Sequence, residues 1–86
     1  MERRELLELL LDFAREAGLE VRREPRGASV RSGVCRVRGA VWIVLAGADP
    51  LEEHLAVAAQ ALREHAASLL EDRYLPPAVR ELLESP

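Results

Sequence analysis

A chain of 86 residues has room for one small core and no second domain, and its formal net charge of −3 excludes a generic polyanion binder. A hydrophobic content of 49% beside 31% charged residues argues against disorder. One cysteine and three aromatic residues exclude a disulfide scaffold and a large base-stacking platform.

The N-terminal segment MERRELLELLLDF places basic residues before an apolar run, as a secretory leader does. Glu5, Glu8 and Asp12 interrupt that run and no small-residue cleavage site follows, so the expectation is an unprocessed cytoplasmic chain. Residues 2–17 carry a helical period instead. Leu6, Leu10, Phe13 and Ala17 recur at three- and four-residue steps, Leu7, Leu11 and Ala14 widen the stripe, and Leu9 lies off it. Gly18 is placed to end this helix, because glycine adopts the left-handed conformation without steric cost.

The period then changes to two. Leu19 and Val21 alternate with Glu20 and Arg22, a short half-buried strand, and residues 24–29 form a loop around Pro25 and Gly27. Val34 to Leu45 reads as a hairpin with Gly39-Ala40 in a type II′ turn. That register sets Val37 opposite Trp42 and Cys35 opposite Val44 on one face, with Arg36 opposite Ile43, Arg38 opposite Val41 and Val34 opposite Leu45 on the other. The segment VWIVL is apolar on both faces, the pattern of a central strand or of one covered by a partner.

Asp49, Pro50 and Glu52 have the spacing of a capped helix start, and the helix is expected to run to about Glu71. Its stripe is Leu51, Leu55, Ala58, Ala59, Leu62, Ala66, Leu69 and Leu70. Tyr74-Leu75-Pro76-Pro77 breaks it, and a terminal helix over 78–84 follows with Val79, Leu82 and Leu83 inward. The expected fold is a single α+β domain of order α-β-β-β-α-α, with an antiparallel sheet of about three strands and helices packed on one face.

Charge is segregated: residues 1–18 carry −2, residues 19–40 carry +4 and residues 41–86 carry −5. The basic middle holds Arg22, Arg23, Arg26, Arg31, Arg36 and Arg38, candidates for contact with nucleic-acid phosphates. No aromatic residue precedes Trp42 there to interleave with them, so pairing with Glu20, Glu24 and the acidic helices is the plainer expectation. His54 and His65 stand eleven residues apart, roughly 16 Å along a helix, too far for one metal ion, and both are expected at the surface. Cys35 is expected to be a buried thiol. Catalysis would need Cys35, or Glu52 or Glu53 with His54, to converge in a pocket. Neither a cofactor nor a metal is expected.

The hairpin, the capped proline start and the helix beginning L-x-x-A at Leu55-Ala56-Val57-Ala58 resemble the minimal active-site unit of HExxH zinc metallopeptidases. In that family two histidines bind zinc and the glutamate is the general base. The corresponding positions here are Ala59, Gln60 and Arg63, so the resemblance implies a non-catalytic relative with no ligand or base to carry over. Arginine without lysine is similar to the usage of GC-rich, thermophilic bacterial chains.

The functional expectation is a non-enzymatic interaction protein that works as a homo-oligomer, most simply a dimer. Its apolar strand and broad helix stripe exceed what one small core uses. The candidate contact residues are Trp42, Ile43 and Val41 on the sheet and Leu7, Leu9 and Leu11 on the first helix. Weak nucleic-acid binding through the arginine-bearing segment is the alternative. No membrane partner is expected.

Overall fold

The computed structural model describes residues 1–85. The chain order is α1 (Arg3–Glu16), β1 (Glu20–Glu24), β2 (Gly33–Val37), β3 (Ala40–Ala46), α2 (Leu51–His65), α3 (Ala67–Glu71) and α4 (Pro77–Glu84). The α+β class and the order of elements are as expected.

Helix α1 buries Leu6, Leu7, Leu10, Leu11 and Ala14, while its charged residues face out. The Glu2 carboxylate caps it by accepting from the Arg4 backbone N–H at 3.1 Å, and the chain leaves it at Gly18 in the left-handed region. Helix α2 packs along α1 and over β3, with Leu55, Ala58, Ala61 and Leu62 in the shared core. Its alanines bring the two helices close. Among the described residues no polar or charged side chain is buried, so apolar packing alone organises the interior.

The sheet order is β1-β3-β2, which puts the doubly apolar strand in the middle. β2 and β3 are antiparallel, but β1 pairs with β3 in parallel, so the sheet is mixed rather than antiparallel throughout. The cause is the 25–32 loop. It carries the chain past the end of β3 to the far edge, so β2 returns antiparallel and the hairpin lays β3 between its neighbours. This crossing is tight at Gly47, whose N–H donates to the Glu24 carbonyl at 2.8 Å. A Cβ at Gly47 would stand 2.6 Å from the Arg26 nitrogen and 2.7 Å from the Glu24 oxygen.

The hairpin turn is centred on Arg38-Gly39, one residue earlier than expected. Both residues have positive φ, 51° and 84°, the signature of a type I′ turn rather than II′. The observed pairs are Val37–Ala40, Arg36–Val41, Cys35–Trp42, Val34–Ile43 and Gly33–Val44. Pairing has slipped by two residues, an even number, so each side chain keeps the face that the alternation assigned to it.

Two expected features of α2 are corrected. Its N-cap is Pro50 without a side-chain hydrogen bond, because Asp49 is engaged elsewhere. It also stops at His65: Ala66 leaves helical geometry at φ −133°, and a separate short helix, α3, follows with Leu70 against the core. Pro77 opens α4, where Val79 is fully buried.

Candidate functional site

All the helices that touch the sheet lie on one side of it. That side holds Val21, Val34, Val41, Ile43 and Leu45, of which Ile43 and Leu45 are essentially inaccessible. Strand alternation sends Glu20, Arg22 and Glu24 of β1, Gly33, Cys35 and Val37 of β2, and Trp42 and Val44 of β3 to the other side. Among the described residues no helix packs on this second face. Cys35, Val37, Trp42, Val44 and Val30 of the preceding loop line a shallow hollow of about 330 Å³ there, bordered by Arg22 and Glu24. Val37 is 47% exposed and Val30 41%. On the β1 margin Arg22 and Glu24 form an ion pair with each other.

Of the six candidate contact residues, Trp42 lies on this uncovered face. Ile43 is in the core, and Val41 is half-buried on the same helix-covered side, since neighbours along a strand point oppositely. Leu7 and Leu11 are buried in the chain's own core and Leu9 packs half-buried against it, so α1 offers no free apolar stripe. Cys35 is exposed rather than buried, because β2 is an edge strand and its odd-numbered positions face outward.

The six middle arginines are dispersed. Arg38 sits in the hairpin turn at one end of the sheet, whereas Arg26 lies beside Gly47 at the other. The seven residues of β3 separate them by roughly 20 Å. Arg22 is on the uncovered face and Arg23 on the helix side, where it pairs with Glu8 of α1. Among the described residues Arg26, Arg31, Arg36 and Arg38 form no ion pair, so pairing accounts for part of the set only.

A second concavity of about 480 Å³ opens where β1 and β3 end and α1 and α2 begin, lined by Arg4, Glu8, Arg23, Arg26, Asp49 and His54 among others. Ser32 Oγ donates to Asp49 Oδ2 at 2.6 Å, the Ser32 N–H donates to the same oxygen at 3.2 Å, and the Ala46 N–H donates to Ser32 Oγ at 2.9 Å. The two bonds from Ser32, the hydroxyl's first and the backbone N–H's second, hold the Asp49 carboxyl below the usual carboxylate range. His54 is half-buried, with Nε2 2.7 Å from the Ala46 carbonyl, which accepts from it, so it is not a free surface histidine. The group contains serine, histidine and aspartate, but the serine bonds to aspartate and the histidine to backbone. It lacks the serine–histidine contact that a nucleophile needs and functions as a clasp closing the loop onto β3. A local pattern could not have found this clasp, since Ser32 and Asp49 are 17 positions apart.

Cys35 and His65 border one groove of about 230 Å³ beside the β2 edge, with Gln60 and Glu64. No hydrogen bond joins them. At the positions matching the HExxH pattern, Ala59 is buried, while Gln60 and Arg63 are exposed. Among the described residues no group of three metal-binding side chains comes together, and no helix is long and apolar enough to cross a membrane. Comparison of the chain with family models, curated proteins and solved structures gives no match.

Proposed function

We propose that this chain is a non-enzymatic interaction module that works by binding a second copy of itself through the β2–β3 side of its sheet. The observation that supports this most is the uncovered face. Trp42, Val44, Cys35 and Val37 stand together there with no helix over them, while β1 carries charges. Fully covering a valine-sized side chain is worth about 1.5–3 kcal/mol, so a partner that hides this group gains from each residue it covers. Polyanion contact is the weaker reading because the arginines lie on different faces and at opposite ends of the sheet.

Trp42 is the only tryptophan, so it reports on this face directly. With rising protein concentration its emission is expected to shift to the blue and its quenching by acrylamide to fall. Val37→Asp should abolish both changes. Emission and quenching that stay constant up to millimolar wild-type protein would count against self-association by this face.

A further inference from the structure

We propose that the concavity at the carboxyl ends of β1 and β3 binds a small phosphate-bearing ligand, with Arg4 and Arg26 holding the phosphate. The site lies apart from the Trp42 face and does not depend on self-association.

Topology makes the concavity. β1 and β3 are parallel neighbours, and the chain leaves them in different directions. From β1 it crosses to the far edge of the sheet, and from β3 it turns back into α2. Adjacent parallel strands whose connections part in this way leave a crevice beyond their carboxyl ends, where open α/β sheets bind ligands. The crevice measures about 480 Å³ here, within the roughly 300–1,000 Å³ of small-molecule sites. Leu7, Leu45 and Leu51 share its lining, so a carbon body attached to the phosphate meets apolar surface.

The charges decide what enters. Each carboxylate in the lining already has a donor: Glu8 pairs with Arg23, Glu24 with Arg22, and Asp49 accepts two bonds from Ser32. His54 is likewise held, by the Ala46 carbonyl. Among the described residues Arg4 and Arg26 form no ion pair. Two guanidinium groups without a counter-ion therefore border one concavity, Arg4 from the first turn of α1 and Arg26 from the crossing loop. A carboxylate ligand offers one negative charge and a planar fork that a single arginine satisfies. A phosphate monoester carries about −1.5 to −2 at neutral pH and has acceptor oxygens for two.

The backbone that carries Arg26 is set before any ligand arrives. The Gly47 N–H donates to the Glu24 carbonyl at 2.8 Å, and the Ala28 N–H donates to the Pro25 carbonyl at 3.2 Å. The bond from Ser32 to Asp49 ties down the far end of the same loop. Little ordering of the loop is left to oppose binding.

Titration with inorganic phosphate, followed by backbone amide NMR shifts at constant ionic strength, tests the site. The amides of Gly47 and Leu51, both in the lining, should shift to saturation, and acetate should not reproduce the effect. Arg4→Gln and Arg26→Gln should each weaken the apparent affinity about tenfold. Both arginines are exposed, so neither change disturbs the core. Arg38→Gln, in the hairpin turn roughly 20 Å from Arg26, should leave the affinity within about twofold. The site is overturned by shifts that never saturate, that acetate matches, that persist unchanged in Arg4→Gln or Arg26→Gln, or that fall equally in Arg38→Gln. Such a result leaves self-association through the Trp42 face standing.

Discussion

Arg38 is the residue whose backbone departs furthest from its own preference. The type I′ turn holds it at φ 51°, a conformation that costs an L-residue other than glycine, asparagine or aspartate about 1–2 kcal/mol. Arg38→Asn is therefore expected to stabilise the fold by about 0.5–1 kcal/mol, seen as a rise of several degrees in Tm. The Asp49 clasp makes a second prediction. Ser32 lowers the Asp49 pKa in the folded state, so the carboxylate contributes stability at neutral pH and loses it as pH falls through the depressed value, in acid below about pH 4. Removing the hydroxyl raises that pKa. Ser32→Ala should move the acid loosening of the 25–32 loop to higher pH, which proteolytic nicking of the loop across a pH series can follow. The same change leaves the Ala46 N–H without its acceptor, at a cost of about 1–3 kcal/mol at neutral pH. None of this was legible locally, because Asp49 beside Pro50 has the form of a helix cap and its real partner lies across the crossing loop.

At the level of elements, α1 and the hairpin were readable because each has a single dominant period. The alternation in residues 34–45 assigned faces correctly even though the turn moved by one residue, since that shift changes pairing by two. Parallel pairing of β1 was not readable, because direction is set by where the 25–32 loop lands and not by β1 itself. The crossing rests on Gly47, and Gly47→Ala must push a Cβ into the Arg26 and Glu24 backbone. A loss of about 1–3 kcal/mol in urea unfolding is expected, against nearly none for alanine at the open Gly33. For comparison, Leu62→Ala empties a fully buried position between α2 and its neighbours and should cost about 2–5 kcal/mol. The break at Ala66 had no sequence signal, since Ala-Ala-Ser carries neither glycine nor proline.

For the whole molecule, the surplus of apolar surface that the sequence implied is real but smaller and differently placed. Leu7, Leu11 and Ile43 are consumed by the core, which leaves Trp42, Val44, Cys35, Val37 and Val30 on the uncovered side of a two-layer fold. Charge follows the same division. Ion pairs tie distant parts of the chain together at Arg3–Glu52, Arg23–Glu8 and Arg73–Glu16, but Arg23 is the one residue of the basic middle among them, so most of the segregation along the chain persists in space. What remains is an apolar half-face, the surface through which we propose that another copy binds. Sedimentation equilibrium from micromolar to millimolar protein tests that claim most directly. The mass should rise from one 9.6 kDa chain toward two, with Val37→Asp remaining at one; a wild-type protein that stays at the mass of one chain throughout would contradict the account.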